Sequence, residues 1–311
     1  MQYLFGVDIG GTTIKIGLVS KEGKILDKFE IKTNVSNNGN NILKDVRDAI
    51  YTYLEKNNIV REDVVGIGFG VPGPVSNNIV KRCVNLGWAE INVKEEFSML
   101  LDWSPVVACG NDANVAALGE MHVCENPNIS NAVMFTLGTG VGGGIILNNR
   151  IIDGSHGAAG ELGHIRLDNI HNFKCNCGLC GCLETVASAT GVVRLAKAYL
   201  ENEKSSLDPL TLTAKCVFDA AKANDALALK VVYEVGYYIG YAASVVSSVV
   251  DPDIFIIGGG VSKAGKILID AIEENYKKLA FHATKNIPFV LASLGNDAGI
   301  LGAALLAKWL K

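Results

Sequence analysis

The sequence lacks a surplus of charge of either sign. Its 311 residues carry 28 Lys and Arg against 32 Asp and Glu, a formal net charge of −4. Proteins that bind nucleic acid normally show a basic patch or stripe, so this balance does not favour a nucleic-acid partner. With 49% hydrophobic and 19% charged residues the chain is otherwise ordinary for a globular protein, and its length suits two medium-sized domains.

Long hydrophobic runs and low-complexity segments are also missing. The most apolar segment, residues 235–250, is too short to span a bilayer and ends at Asp251-Pro252. Met1 leads directly into an apolar stretch, with neither the basic region nor the small-residue cleavage site of a secretory leader. These absences predict a cytoplasmic protein without a membrane partner.

Cysteine, by contrast, is concentrated in one place. Four of the eight cysteines fall within the segment Cys175-Asn-Cys-Gly-Leu-Cys-Gly-Cys182. Thiolates at this density, separated by glycines that let the backbone fold tightly, suit a tetrahedral zinc site. His164 is the natural nitrogen ligand, and Glu161 and Glu184 flank the cluster as possible acceptors. A buried or disulfide-bonded cluster is the alternative, which the lack of a secretory context disfavours.

Two glycine-threonine turns occur in similar settings. Gly10-Gly-Thr-Thr13 separates two apolar strands, and Gly138-Thr-Gly140 does the same later in the chain. A turn with bare amides and hydroxyls can hold a phosphate, because no side chain keeps the anion away. A single turn of this kind is also an ordinary hairpin, but its repetition indicates a duplicated domain with a cleft between the copies. Strands alternate with helices throughout, so the predicted class is α/β.

Asp112 stands where a predicted strand, residues 106–109, gives way to a predicted helix, residues 113–121. The simpler interpretation is that Asn111 or Asp112 caps this helix. The same position also suits a catalytic base, since the helix dipole keeps a carboxylate ionised. Both interpretations remain open from the residues alone.

Three glycine-rich segments match nucleotide-binding patterns without the context that those patterns require. Residues 68–73 have Pro72 within them and Pro74 directly after them where a helix should begin, and residues 138–143 run into a strand. Residues 260–266 have P-loop spacing, but Ile267 stands where a magnesium-binding hydroxyl belongs. None of the three therefore predicts a Rossmann or P-loop protein.

Taken together, the motifs resemble the ROK family of repressors, open reading frames and sugar kinases. The resemblance covers essentially the whole chain and is carried by Asp8-Ile-Gly-Gly-Thr12, Asn111-Asp-Ala-Asn114, Leu137-Gly-Thr-Gly140, Glu161-x-Gly-His164 and Cys175-x-Cys-Gly-x-x-Gly-Cys182-x-Glu184. Within the family the chain is most similar to members that phosphorylate glucose with ATP, in part through residues 72–75 and 85–88. The resemblance implies an actin-like ATPase (ribonuclease H-like) fold of two duplicated α/β domains. Residues 1–111 and a C-terminal helix, 298–311, would form the small domain, and residues 112–297 the large domain with the zinc motif.

The resemblance also implies a role for each motif. Asp112 would be the general base as the γ-phosphoryl group of ATP passes to the 6-hydroxyl of glucose. Glucose would be bound by Gly73, Asn85, Asn111, Asp112, Glu161, His164 and Glu184. Structural Zn²⁺ would be held by His164, Cys175, Cys177 and Cys182, with Cys180 as a competing ligand. ATP and Mg²⁺ would lie near Asp8, Gly10, Gly11, Thr12, Thr13, Lys15, Thr139 and Gly140, with the adenosine against Gly258, Gly259, Gly260 and Val261.

The implied assembly is a homodimer, and two other functions stay open. A kinase for another hexose, such as N-acetylmannosamine, fructose or allose, would differ in the loop at Gly73-Pro74, which offers no obvious partner for an acetamido group. A sugar-responsive repressor would carry a helix-turn-helix before the first hairpin, which here begins at residue 4. Zinc is expected to support glucose binding through His164 and to affect ATP much less, because four protein ligands close its shell.

Overall fold

The computed structural model describes residues 1–124, 126 and 128–309. The chain forms two compact units: unit 1 comprises Met1–Pro127, Gly144–Ala159 and Asn296–Lys311, and unit 2 comprises Asn128–Gly143 and Gly160–Gly295. These units have other bounds than the predicted domains, whose boundary lies between residues 111 and 112. The domain boundaries stay a prediction. Residues 310 and 311 of the predicted C-terminal helix lie outside the described residues.

The strands of unit 1 form one large and one small sheet. Their bounds are β1 (Tyr3–Ile9), β2 (Thr13–Ser20), β3 (Ile25–Lys32), β4 (Val64–Val71), β5 (Val75–Ser76), β6 (Ile79–Val80), β7 (Ile91–Asn92) and β8 (Val106–Asn111). The large sheet has the order β3-β2-β1-β4-β8. β2 is antiparallel to β1 and β3, whereas β4 is parallel to β1 and β8.

The sheet of unit 2 repeats this arrangement. Its strands are β9 (Ala132–Leu137), β10 (Val141–Leu147), β11 (Arg150–Ile151), β12 (Ile254–Gly258) and β13 (Phe289–Leu291), in the order β11-β10-β9-β12-β13. β12 is parallel to both β9 and β13. β10 continues into unit 1, where its end pairs with β11 in antiparallel fashion. In both sheets the first strand has its hairpin partner on one side and a later parallel strand on the other, which confirms the predicted duplication.

The described part of the chain contains nine α-helices. Unit 1 holds α1 (Ile42–Lys56), α2 (Val93–Met99) and α3 (Asp112–His122); unit 2 holds α4 (Glu184–Ala187), α5 (Ala189–Leu200), α6 (Ala214–Lys222), α7 (Ala226–Val250) and α8 (Lys266–Leu279); α9 (Ala298–Trp309) returns to unit 1. The apolar α7 packs closely on α8, since a Cβ at Gly236 would lie 2.6 Å from the Ala271 side chain. Among the residues described, no helix is both long and apolar enough to cross a bilayer.

Helix α9 explains why unit 1 extends beyond the predicted small domain. A Cβ on Gly68 of β4 would lie 1.7 Å from the Ala303 carbonyl oxygen, and one on Gly302 would lie 1.6 Å from that of Val115. Only glycine allows such approaches, so α9 packs against both the sheet and α3. Helix α3, with Asp112 at its start, is thereby fixed within unit 1.

Candidate active site

The carboxylates Asp8 and Asp112 lie at one edge of the large sheet of unit 1. Asp8 of β1 is in register with Gly70 of β4, and Gly70 with Gly110 of β8. Because parallel strands bring their carboxyl ends to the same edge, the start of α3 falls beside the end of β1. Gly70 lies between them, since a Cβ there would be 3.9 Å from both Asp8 Oδ1 and Asp112 Cα, and it would also lie only 2.7 Å from the Val115 side chain.

Helix α3 is capped by Asn111 and not by Asp112. Asn111 Oδ1 accepts hydrogen bonds from the amides of Ala113 (3.0 Å) and Asn114 (3.2 Å). Asn111 Nδ2 donates to the Gly73 carbonyl oxygen at 3.0 Å. Asp112 Oδ1 accepts a bond from Ala113 N at 2.8 Å, and the Asn111 side chain also hydrogen-bonds to this carboxylate. The capping interpretation therefore applies to Asn111 and leaves Asp112 available for chemistry.

The atoms packed around the carboxylate desolvate it and raise the pKa of Asp112 above the usual value for an aspartate, although the residue is exposed, and water weakens this effect. The negative charge of Asp8 raises this pKa further, and the hydrogen bond from the Ala113 amide opposes both effects. The pKa of Asp8 is raised by burial as well, against the lowering effect of Lys15, its cross-strand partner. A carboxylate with a raised pKa is a stronger proton acceptor than an ordinary aspartate.

The first glycine-threonine turn is held by its own backbone and by Thr33. Gly10 N donates to the Thr13 carbonyl at 3.0 Å, and Thr33 Oγ1 donates to the Gly10 carbonyl at 2.6 Å. The Gly10 amide is therefore not bare, and Gly11 and Thr12 form the exposed tip. A Cβ on Gly11 would lie 3.7 Å from Asn85 Cβ, so a predicted sugar ligand stands beside the predicted phosphate turn.

Gly73 fixes the loop that precedes β5. Its φ of +105° favours glycine, and a Cβ at this position would lie only 2.8 Å from the Arg82 carbonyl oxygen. The Gly73 carbonyl receives the Asn111 side chain described above. The loop and the start of α3 are thus joined directly.

In unit 2, the second turn and the Gly258–Val261 loop begin at one sheet edge. β12 runs parallel to β9, with Gly258 in register with Thr136. Gly259 has φ +85°, and a Cβ there would lie 2.5 Å from the Leu137 carbonyl oxygen. A cavity of about 400 Å³ opens beside this loop, with Gly260, Val261 and Phe218 of α6 in its wall. No motif singles out Phe218, because the pattern of α6 is only that of an amphipathic helix.

The predicted zinc ligands come together in unit 2. One ligand atom from each of His164, Cys175, Cys177 and Cys182 lies within 4.8 Å of the other three. Cys175 Sγ is 3.7 Å from His164 Nδ1, and Cys177 Sγ is 3.7 Å from Cys182 Sγ. Zn–S bonds of about 2.3 Å give tetrahedral edges of roughly 3.8 Å, so this donor set fits Zn²⁺. Cys180 is not a member of the group, and all eight cysteines are free thiols, which excludes the disulfide-bonded alternative.

The loop that carries the three cysteine ligands, residues 165–183 (the metal loop), is anchored on α7. Bridges pair Arg166 with Cys182 and Lys174 with Cys180. The buried Asp168 accepts bonds from the His171 amide and the Tyr238 hydroxyl, both at 2.9 Å. These contacts connect the loop to the helix.

Glu184 connects the metal loop with the second turn. Its Oε1 accepts a hydrogen bond from Cys175 Sγ at 3.5 Å, and its Oε2 accepts one from Val141 N at 3.2 Å. A Cβ on Gly140 would lie 2.1 Å from Glu184 Oε2, so a side chain there would displace this carboxylate. One carboxylate thus contacts both the metal cluster and the predicted phosphate turn, which favours an effect of zinc on both substrates. The expectation that zinc acts on the sugar and much less on ATP stays a prediction.

The predicted site residues divide between the two units. Unit 1 contains Asp8, Gly10, Gly11, Thr12, Thr13, Lys15, Gly73, Asn85, Asn111 and Asp112. Unit 2 contains Thr139, Gly140, Glu161, His164, Cys175, Cys177, Cys182, Glu184, Gly258, Gly259, Gly260 and Val261. Glu161 is exposed and stands just before the short helical turn Leu162–His164, where its carbonyl accepts the His164 amide at 3.1 Å. Sequence reasoning missed Lys174, Thr190 and Arg194, which line a cavity beside Thr139 and Gly140.

Comparison with known proteins gives three consistent findings. The ROK family profile matches residues 4–309. Glucokinases of Halalkalibacterium halodurans and Thermotoga maritima are 41% and 36% identical, over 99% and 98% of this chain and 95% and 97% of their own lengths. A ROK family glucokinase from Streptomyces griseus, solved in complex with glucose and AMPPNP, is 32% identical with a TM-score of 0.71, covering 98% of this chain and 99% of that one.

Proposed function

The chain belongs to the ROK family, and we propose that it is a glucokinase, which transfers the γ-phosphoryl group of ATP to the 6-hydroxyl of glucose. The observation that carries the proposal is the 41% identity to a glucokinase along 99% of the chain. The fold agrees with it: the duplicated α/β units have the actin-like ATPase fold of ROK sugar kinases. Zinc binding, the individual site residues and the assembly belong to the same proposal.

Asp112 is the general base in this proposal. Phosphoryl transfer to an alcohol needs positioning, charge neutralisation and a group that accepts the hydroxyl proton. The raised pKa of Asp112 supports this role. Asn111 fixes the start of α3 and the Gly73 loop, so it orients the base.

The donor end is supported in each unit separately. In unit 1, Gly11 and Thr12 at the exposed tip of the first turn suit phosphate oxygens, and Asp8 is an oxygen ligand of the type that Mg²⁺ prefers. Gly299 leaves room for such an ion, since a Cβ there would lie 2.9 Å from Asp8 Cγ. When bound, Mg²⁺ neutralises charge on the transferred phosphoryl group.

In unit 2, Thr139 and Gly140 would bind phosphates, and the cavity of about 400 Å³ beside Gly260 and Val261 would take the adenosine. A pocket with an apolar wall and a polar rim suits a nucleobase. Phe218 supplies part of that wall, and Lys215 lies on the same lining.

Sugar hydroxyls would be held by Gly73, Asn85 and Asn111 of unit 1 and by Glu161, His164 and Glu184 of unit 2. Carboxylates and an amide can select a hexose because an analogue without a hydroxyl leaves a buried polar group unpaired. His164 turns Nδ1 toward the thiols, which leaves Nε2 for a hydroxyl. Zn²⁺ with four protein ligands would be structural and would fix the orientation of the imidazole ring.

A coupled assay with ATP across a panel of hexoses tests the proposal. Glucose should give the highest kcat/KM, and a dehydrogenase specific for the 6-phosphate should accept the product. The matched control is N-acetylmannosamine, whose acetamido group has no obvious partner at Gly73-Pro74. A higher kcat/KM for N-acetylmannosamine would contradict the proposal and favour the other kinase activity.

We also propose a cytoplasmic homodimer. Eight free thiols suit a reducing compartment. On α7, Val245 and Val249 are 41% and 79% exposed and stand one helical turn apart, which makes them candidates for a subunit contact.

A further inference from the structure

A cavity beside the Thr139–Gly140 turn has a cationic wall that the roles above do not use. The cavity measures about 260 Å³ and is formed within unit 2. The turn lies on one side, and Lys174 of the metal loop and Arg194 of α5 contribute the positive charge. Thr190 adds a hydroxyl near the turn, since its Oγ1 donates to the Thr139 carbonyl at 3.0 Å.

The two cations differ in the contacts that their charged groups make with the rest of the protein. The Arg194 guanidinium donates to the Thr185 carbonyl at 2.6 Å and lies over the Phe173 ring, 5.2 Å from its centroid. Lys174 is exposed, and the described residues offer its ammonium group neither an ion pair nor a hydrogen bond. Arg194 is therefore a fixed part of the wall, whereas Lys174 is free to bind a ligand.

The backbone of Lys174 is nevertheless held in a defined position beside the cavity. Lys174 pairs with Cys180 across the metal loop, and its neighbour Cys175 belongs to the metal cluster. The acidic group on the same lining, Glu184, accepts a hydrogen bond from Val141 N. The cavity thus offers an unpaired ammonium and the fixed guanidinium of Arg194 next to a glycine turn, a combination suited to an anion with several oxygens.

Resting on the proposed function, we propose that Lys174 binds the phosphate chain of the donor nucleotide and so contributes to the preference for a triphosphate. The ammonium group attracts a triphosphate more strongly than a monophosphate, since the charge that it meets is larger. Lys174 is a binding residue in this role, and the proton transfer remains with Asp112.

Titration calorimetry with magnesium and the non-hydrolysable analogue AMPPNP tests the proposal. Lys174→Met should weaken AMPPNP binding about tenfold, the scale of one charge-assisted hydrogen bond, and AMP binding much less. Lys174→Arg should retain most of the affinity. The matched control is Lys197→Met, which removes the same charge from the exposed face of α5 and should bind AMPPNP as the wild type does. Zinc content and glucose affinity should be unchanged in all three variants.

Two results would overturn the proposal. Lys174→Met protein that binds AMPPNP within twofold of the wild type would show that the ammonium does not contact phosphates. An equal loss of glucose affinity or of zinc would assign Lys174 to the structure of the metal loop. The proposed function is judged separately, because a wild-type protein that fails to phosphorylate glucose contradicts it whatever Lys174 does.

Discussion

Two opposing effects act on the ionisation of Asp112 at the start of α3. Its position in the first turn of α3 favours the ionised carboxylate, whereas desolvation and the charge of Asp8 favour the protonated form. The result is a carboxylate held ready to accept a proton. Its neighbour Asn111 performs the capping that would otherwise occupy it.

Asp112→Asn should lower kcat by roughly two to four orders of magnitude, the usual contribution of a positioned acid-base group. The amide is the same size and can still accept the Ala113 N–H, so the fold should persist. Steady-state kinetics and glucose titration check this. Asp270→Asn, on α8, is the control and should keep wild-type turnover. More than a tenth of wild-type turnover in Asp112→Asn protein would leave Asp112 without a catalytic role.

In a plot of kcat/KM against pH, the midpoint of the acid limb should lie above pH 3.9, about the usual pKa of an aspartate. The reason is that the base must be ionised and its pKa is raised. Asp8→Asn removes the negative charge that raises this pKa, so the limb should move to lower pH even though activity falls. A limb that stays in place or moves up would contradict the electrostatic account.

The same raised pKa has a consequence for stability, with the sign opposite to that of a salt-bridged aspartate. Stability is lost as pH rises from the unfolded pKa through the folded pKa, since the folded state disfavours ionisation. At neutral pH the ionised Asp112 therefore destabilises unit 1. Thermal unfolding at pH 7 should accordingly give Asp112→Asn a Tm no lower than that of the wild type.

The metal loop acts as one element, because its ends, its ligands and Glu184 are mutually connected. Asp168 and His171 tie the loop to α7, the latter through Nε2 and Glu234 Oε1 at 2.6 Å. Glu184, the first residue of α4, then connects the loop to Val141, which follows the second turn and donates its amide to the Glu184 carboxylate. Disruption of the metal cluster should therefore weaken the binding of both glucose and the nucleotide.

Cys175→Ser should lose zinc and weaken glucose binding by roughly tenfold or more, as the loss of support around a metal typically does. AMPPNP binding should weaken too, since Cys175 also contacts Glu184. Metal analysis, calorimetry and hydrogen exchange over residues 161–184 measure the three effects. Cys216→Ser is the control, an exposed cysteine outside the cluster. Zinc-free protein that binds glucose as tightly as the wild type would contradict this account.

Across the whole molecule, the sequence predicted what depends on local pattern. The two hairpins and α3 follow from periodicity, and the structure confirms that they form. The set of His164, Cys175, Cys177 and Cys182 follows from the family resemblance, and the structure brings these four residues together. Sequence patterns did not predict three features: the extent of unit 1, the hydrogen bond between Glu184 and Val141, and the position of Lys174 beside the second turn. They arise where segments distant in sequence pack together, and no local signal marks such contacts.

The proposed homodimer predicts a particle of twice the 33.0 kDa chain in sedimentation experiments. Val249→Asp should shift the protein toward the monomer, because a charge in an apolar contact is costly. Leu210→Asp is the control, since Leu210 is 94% exposed in a loop. A wild-type monomer, or dimers that persist with Asp at both 245 and 249, would contradict the proposed contact.

The return of α9 to unit 1 has a consequence for synthesis on the ribosome. The strands with Gly6 and Gly68 emerge early, yet the helix that covers them is translated only after all of unit 2. The nascent chain must therefore carry an uncovered apolar sheet for most of its translation, a state that is prone to aggregation and suited to chaperone binding. Chains released at residue 295 should bind a hydrophobic dye and precipitate, whereas a soluble, dye-negative fragment would show that unit 1 closes without α9.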